Sequence, residues 1–153
     1  MTDLARDAMT DRIGTGGTTV AIATPAALWL VSGPDQPANT IQDGSYWLGP
    51  NRSLVVAETP GPAPAAGFVS DVTDGYVLLD ITGDWPALLA MGCTLAPAAL
   101  AAGRCAQTMF AGIHVLLAAN PIGISPTGIR LFVERPHAAW LLDWFRAAVS
   151  SLA

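Results

Sequence analysis

Residues 103–117 read GRCAQTMFAGIHVLL, and Gly112 is the one turn signal inside this apolar stretch. Two alternating sets of side chains run along it, one made of Met109, Ala111, Ile113, Val115 and Leu117, the other of Phe110, His114 and Leu116. The pattern predicts a strand that is covered by protein on both faces. Gly112 indicates either a bulge or a tight bend that joins two short strands. The stretch is therefore predicted to lie at the centre of the fold.

The segments around this stretch predict further strands separated by turns. Runs rich in β-branched, aromatic and other apolar residues predict strands at residues 18–23, 45–48, 53–58, 68–71, 76–81 and 129–134. Residues 26–31 fit either a short strand or a turn of helix. Loops are expected at 32–44, 59–67 and 120–128, and residues 73–75 are predicted to turn strand 68–71 back onto strand 76–81.

Two helices are predicted in the second half. The first is capped by Thr82 or Asp84, has Pro86 in its first turn and ends at Gly92. Residues 95–102 form a second short helix or a loop. The C-terminal helix starts at Pro136 and carries a broad apolar stripe: Trp140, Leu141, Trp144, Phe145, Ala148, Val149 and Leu152. That stripe is expected to pack on the central strand, with a partner groove as the alternative.

These elements indicate the α+β class, with a mostly antiparallel sheet and helices on one side. The chain has 153 residues, which suits one domain. Residues 1–17 are polar and end in glycines, so they are expected to form a flexible arm. Residues 18–153 are expected to form a single α+β domain.

The composition is rich in apolar residues and poor in charge. Hydrophobic residues make up 52% of the chain and charged residues 12%, against a usual charged share of about a quarter. No window of about 18 apolar residues is free of charges or of Pro and Gly clusters, so a membrane helix is not expected. The composition favours a protein that covers part of its surface with a partner, and a free domain with an alanine-rich surface is the alternative.

The charge distribution excludes several functions. The net charge is −5, without a basic patch, so nucleic acid is not an expected partner. All seven basic residues are arginines, which excludes P-loop, Schiff-base and general-base lysines. Residues 1–14 lack the apolar core of a signal peptide, and two cysteines do not make a disulfide framework. We therefore expect a cytoplasmic protein.

No catalytic or metal-binding constellation stands out, so no catalytic, cofactor-binding or metal-binding residue is predicted. His114 lies in an apolar strand and His137 at a helix start, and Cys93 and Cys105 fit small core residues. Turn formation and helix capping account for the paired carboxylates Asp71, Asp74, Asp80 and Asp84. Three arginines are candidates either for an anionic ligand or for salt bridges to a partner: Arg104, Arg130 and Arg135.

The order of several segments resembles that of a known family. The segments are YWLGPNRSLVVA (46–57), DVTDGYVLLDITG (71–83), ALLAMGCTLAP (87–97), GRCAQTMFAGIHVLL (103–117) and IRLFVERPHAAWLLDWFRAA (129–148). Together they resemble the gamma subunit of heterotetrameric sarcosine oxidase, over about two-thirds of the chain. The resemblance implies a fold similar to the folate-binding domain of aminomethyltransferases.

The resemblance also implies a role. It implies a small non-catalytic accessory subunit that packs on the large alpha subunit, beside beta and delta subunits, in an enzyme that oxidatively demethylates sarcosine or a related N-methyl amino acid. FAD, FMN, NAD and zinc are then held by the other chains, and tetrahydrofolate accepts the one-carbon unit. None of these groups is expected in this chain.

Two other functions remain open at this stage. A stand-alone folate-binding or one-carbon-transfer domain would need a carboxylate facing the pterin, for which Asp71 and Asp80 are the candidates. An unrelated scaffold domain is the other. If the chain is a subunit, aromatic and arginine residues are the expected contact anchors. Those not assigned to the core are Trp29, Tyr46, Trp47, Trp85, Arg104 and Arg135.

Overall fold

The computed structural model describes residues 12–15, 17–33, 35–119 and 128–152. Eleven strands are present in these ranges: β1 (Arg12–Thr15), β2 (Thr18–Ala23), β3 (Ala27–Ser32), β4 (Ile41–Gln42), β5 (Ser45–Gly49), β6 (Arg52–Ala57), β7 (Phe68–Asp71), β8 (Tyr76–Thr82), β9 (Cys105–Phe110), β10 (Ile113–Ala119) and β11 (Ile129–Glu134). The helices are α1 (Trp85–Gly92) and α2 (Arg135–Leu152), with 3₁₀ turns at Thr73–Gly75 and Pro97–Leu100.

The predicted arm and the last predicted loop fall largely outside the described ranges. Within the arm, Arg12–Thr15 forms strand β1, which pairs with β2. Residues 1–11 and 16 of the arm, and residues 120–127 of the loop, lie outside the described residues. Residues 26–31, predicted as either a strand or a turn of helix, contain strand β3. Residues 95–102, predicted as either a short helix or a loop, contain a 3₁₀ turn.

Six strands form the first sheet, in the order β1-β2-β8-β11-β10-β9, and all neighbours are antiparallel. Its central strands alternate between two cores. Val77, Leu79 and Ile81 of β8 face one core, whereas Leu78 faces the other. Both faces of this sheet are therefore covered, as residues 103–117 predicted.

Residues 103–117 form a hairpin instead of one strand, which agrees with the tight-bend alternative. Ala111 and Gly112 make a two-residue turn with φ of 49° and 83°, as in the type I′ turn that suits hairpin twist. The predicted sidedness was wrong for Phe110. Two turn residues reverse the alternation, so Phe110 shares the face of Val115, and Met109 points to the other face.

A second, five-stranded sheet has the order β4-β5-β6-β3-β7 and was not expected. The predicted pairing of residues 68–71 with 76–81 was wrong. Strand β7 pairs with β3 in the second sheet, whereas β8 pairs with β2 and β11 in the first. The 3₁₀ turn at Thr73–Gly75 carries the chain from one sheet to the other. The α+β class with mostly antiparallel sheets is confirmed.

The molecule has three layers: the second sheet, the first sheet, and the two helices. One core lies between the first sheet and the helices, the other between the two sheets. The helices thus lie on one side of the first sheet, as predicted. Asp84 caps α1 by accepting a hydrogen bond from the Ala87 N–H, and Pro86 lies in its first turn. Gly92 ends the helix, also as predicted.

Helix α2 packs on the first sheet through most of its predicted stripe. The rings of Trp144 and Phe145 lie 5.1 Å and 5.3 Å from Phe110, between centroids. Trp140 was wrongly assigned to the core, since 54% of it is exposed, and the buried Leu142 was missed. The buried stripe is rotated by part of a turn because the sheet meets the helix through Leu141, Leu142 and Phe145.

We expect Gly92→Ala to destabilise the protein by about 1–3 kcal/mol, the usual cost of overpacking a core. A Cβ at Gly92 would lie 2.4 Å from the Phe110 ring, which is packed on the C-terminal helix and has little room to move. Urea denaturation measures the effect. Gly61→Ala is the matched control, because a Cβ there meets nothing within 4 Å. Equal midpoints for both variants would contradict this packing.

Candidate functional site

Three charged side chains meet at one end of the space between the sheets, where Arg130 and Asp80 are largely buried and Glu58 reaches the surface. We call Arg130, Asp80 and Glu58 the inter-sheet charge cluster. Arg130 is only 3% exposed. Its Nε and Nη2 donate to the two carboxylate oxygens of Asp80, at 2.7 Å and 3.1 Å. Its Nη1 donates to Oε1 of Glu58 at 2.9 Å. The paired hydrogen bonds from Arg130 to Asp80 have the bidentate geometry in which arginine binds a carboxylate most strongly.

The strand register builds this cluster. Strands β8 and β11 are apolar at nearly every position, and Asp80 and Arg130 are directly opposite each other across the pair. Both stand among residues that face the second sheet. Glu58 follows β6 of that sheet, so the guanidinium links the two sheets. Arg130, left open between an anionic ligand and a partner contact, thus meets carboxylates of its own chain.

The electrostatics of the cluster indicate a satisfied structural group. Burial alone would lower the pKa of Arg130, but the hydrogen bond and charge of Asp80, together with the hydrogen bond to Glu58, outweigh burial and raise it. Tyr46 lies beside the cluster. Burial raises the pKa of its hydroxyl to about 12, and Arg130 partly opposes this effect. A permanently charged arginine held by two carboxylates is suited to joining sheets rather than to proton transfer.

We expect stability to fall at alkaline pH through Tyr46. Its pKa is raised from 10.0 to about 12 on folding, so the neutral hydroxyl is favoured in the folded state. That contribution is fully present below pH 10 and is lost as the pH rises to about 12, which amounts to about 2–3 kcal/mol for a shift of this size. The free energy of unfolding of Tyr46→Phe should therefore depend less on pH in this window. Parallel pH profiles for the two proteins would contradict the assignment.

Three of the four predicted carboxylates have distinct roles. Asp71 accepts from the Thr73 N–H at 3.0 Å and from its hydroxyl at 2.6 Å, which agrees with a turn. The same two bonds lower the pKa of Asp71. Asp84 caps α1, also as expected. The prediction was wrong for Asp80, which forms neither a turn nor a cap and instead binds Arg130, fifty positions away in the chain.

The histidines and cysteines do not converge. His114 and His137 are exposed, and Cys93 is partly buried. Cys105 is buried, its thiol donates to the Thr40 carbonyl at 3.4 Å, and burial raises its pKa, which makes it a poor nucleophile. Within the described ranges, no group of three or more His, Cys, Asp or Glu side chains has the arrangement of a metal site.

An open cleft of about 810 Å³ lies beside the 3₁₀ turn. Three carboxylates line it, those of Asp71, Asp74 and Glu134, together with Tyr76 and Val72. Of the two residues suggested for a folate-binding site, Asp71 therefore lies on a cleft large enough for a ligand of that class. Asp80 does not line this cleft, since it is held by Arg130 in the interior.

The predicted partner-contact residues are only partly available at the surface. Tyr46 was wrongly predicted as a contact residue, because it is 1% exposed and its ring packs edge-on against Phe132 in the core between the sheets. Trp29, Trp47 and Trp85 are half-buried and Arg104 is exposed. Arg135 is half-buried and donates from Nε to the Asp74 carbonyl at 2.6 Å, so it also fixes the 3₁₀ turn.

Four large apolar side chains in the described ranges are exposed and were not among the predicted contact residues. Phe68, on strand β7 at the end of the second sheet, is 80% exposed, and Met91, Met109 and Trp140 are each about half exposed. The signal for Phe68 was its position beside the proline-rich loop, at the start of a strand only four residues long. Large apolar side chains at this exposure are typical of contact surfaces.

No helix in the described part of the chain is long and apolar enough to cross a membrane.

Comparison with known proteins identifies a solved complex that contains a chain of similar fold. No protein-family model matches the sequence, and no curated protein matches it. Among solved structures, the chain is similar to a chain of a heterotetrameric sarcosine oxidase from Corynebacterium sp. U-96, in complex with pyrrole 2-carboxylate. The TM-score is 0.65 at 22% identity, over 97% of this chain and 92% of that chain. The protein therefore has the fold of one chain of a heterotetrameric sarcosine oxidase.

Proposed function

We propose that this protein is a small non-catalytic accessory subunit of a heterotetrameric flavoenzyme that demethylates sarcosine or a related N-methyl amino acid. One observation carries the proposal. The structural match spans 97% of this chain and 92% of the corresponding one, so the two chains have similar lengths as well as the same fold. A domain shared by unrelated proteins would more often match a segment of a longer chain.

The residues in the structure support a structural role. The most buried charged group among the described residues, Arg130, is neutralised within the chain by Asp80 and Glu58. Asp71 and Asp84 are engaged with a turn and a helix start. Each of these side chains has a partner within the chain that stabilises the fold, which supports the proposal. Exposed Phe68 and Trp140 supply apolar surface suited to contact with another subunit.

The remaining parts of the proposal follow from the family resemblance. The direct partner is the large alpha subunit, with beta and delta subunits in the same cytoplasmic complex. FAD, FMN, NAD and zinc are held by those chains, and tetrahydrofolate accepts the one-carbon unit. The proposed contact residues are Trp29, Trp47, Trp85, Arg104 and Arg135, to which the structure adds exposed Phe68.

Deleting the gene for this chain tests the accessory role. We expect the remaining subunits to form an incomplete or unstable complex, and a plasmid copy of the chain to restore it. Native mass spectrometry of the complex purified through a tagged alpha subunit measures the composition. A complete and equally stable complex of the other subunits without this chain would contradict the role.

A stand-alone folate-binding domain is the second candidate, and the position of Asp71 on the open cleft favours it. Calorimetric titration of the full chain with tetrahydrofolate tests it. Binding that is lost in Asp71→Asn but kept in Asp43→Asn, an exposed carboxylate elsewhere on the surface, would establish this function. The absence of saturable binding would exclude it.

A further inference from the structure

A second cleft opens between the two sheets, at the end opposite the inter-sheet charge cluster. Its rim includes Arg52, the first residue of β6, Tyr76, the first of β8, and Glu134, the last of β11. The volume is about 190 Å³, which suits a small molecule and not a dinucleotide or a folate. We call it the inter-sheet cleft.

The floor of the inter-sheet cleft is apolar, and the polar side chains of Gln107 and His114 line its wall beside the charged rim. Leu54, Leu116 and Phe132 line it, and they are 1%, 5% and 1% exposed. They come from both sheets, so the cleft enters the core between the layers. A ligand here would bury a hydrocarbon group against these three side chains.

The rim carries two opposite charges that are not used within the described part of the chain. Neither the Arg52 guanidinium nor the Glu134 carboxylate forms a hydrogen bond or ion pair with another described side chain. Both nevertheless act on the Tyr76 hydroxyl. Burial raises its pKa most, Glu134 raises it further and Arg52 lowers it. A positive and a negative group thus flank one hydroxyl at the mouth of a cleft with an apolar floor.

We propose that the inter-sheet cleft binds a small zwitterion with an apolar body, of the class of free aliphatic or aromatic amino acids. Arg52 binds the carboxylate, Glu134 binds the ammonium group, and the side chain packs on Leu54, Leu116 and Phe132. Opposite charges on the rim select a ligand that carries both, because an anion alone would meet Glu134 and a cation alone would meet Arg52. This proposal is independent of the accessory-subunit role.

Two-dimensional NMR titration of the full chain, alone or in its purified complex, tests the proposal with L-alanine, L-valine, L-leucine and L-phenylalanine. We expect saturable binding of at least one of them. For that amino acid, the analogue without the amine and the analogue without the carboxylate should bind about tenfold more weakly or worse, since each loses a charge-assisted hydrogen bond.

Two variants assign the charges. Arg52→Gln should weaken binding of the amino acid about tenfold and leave binding of the carboxylate-free amine unchanged. Glu134→Gln should also weaken binding of the amino acid about tenfold, but it should leave binding of the amine-free acid unchanged. Both side chains are exposed, so we expect both variants to fold. Arg104→Gln, an exposed arginine that does not line the cleft, is the control. No saturable binding of any of the four amino acids, or equal binding of the amino acid by all variants, would overturn the proposal.

Discussion

Replacing Arg130 by methionine is expected to lower the free energy of unfolding by about 3–5 kcal/mol, the cost of breaking a buried ion pair from one side. Methionine fills much of the arginine volume, but it leaves the Asp80 carboxylate, 16% exposed, without a cation. Glu58 is 54% exposed and can return to solvent, so its own contribution is small. Urea denaturation measures the loss.

Two further variants separate the charge from the packing. Arg104→Met removes an exposed arginine and is expected to change stability by no more than about 0.5 kcal/mol. The double variant Arg130→Met/Asp80→Leu removes both partners and should recover part of the loss, because no buried charge is left unpaired. A loss for Arg130→Met that is no larger than that for Arg104→Met would contradict the inter-sheet charge cluster.

Phe110→Ala is expected to cost about 3–5 kcal/mol, as for large-to-small changes of buried aromatic residues. Phe110 is 1% exposed and lies between Gly92 at the end of α1 and the rings of Trp144 and Phe145 on α2. Its removal opens a cavity where both helices meet the first sheet. Thermal and urea denaturation measure the effect, and near-ultraviolet circular dichroism should report looser packing of Trp144.

Met109→Ala is the matched control, since Met109 is the preceding residue of the same strand and is 53% exposed. It should cost less than about 1 kcal/mol, because little apolar surface is lost from the core. The pair also tests the sidedness of the hairpin. If Met109→Ala were the more costly change, Phe110 would lie on the other face, and the two-residue turn at Ala111 and Gly112 would be wrong.

Local chemistry explains the parts of the fold that the sequence predicts well. β-Branched and apolar residues mark β2 and β11, and their bounds agree with the expected ones. Helix α1 is bounded by Asp84 and Gly92, a capping side chain and a small residue where Phe110 approaches. These signals lie within a few residues of the element they define, so one sequence is enough to read them.

Partners distant along the chain explain the parts that were missed. The turn at Thr73–Gly75 has the composition of a hairpin turn, yet its flanking strands join different sheets. Strand β7 pairs with β3, whereas β8 pairs with β11. Tyr46 has the features of a contact aromatic, and only its packing against Phe132 places it in the core. Asp80 and Arg130 likewise become a pair only through the register of β8 and β11.

The exposed apolar residues likewise could not be identified from the sequence alone. Helical periodicity places Trp140 on the apolar stripe of α2, but the rotation of that helix is set by the sheet beneath it. Phe68 is a strand residue by propensity, and its exposure depends on β7 being the last strand of the second sheet. Sequence periodicity therefore indicates which residues are apolar, whereas the layer arrangement decides which of them face a partner.

Purification of the tagged chain from its native cell, followed by mass spectrometry and a visible absorption spectrum, tests the accessory-subunit role most directly. We predict a yellow complex that contains three other subunits in stoichiometric amounts, with the absorbance of bound flavin. A colourless chain recovered without partners would contradict the role. The fold shared with a sarcosine oxidase chain would then stand without the shared assembly.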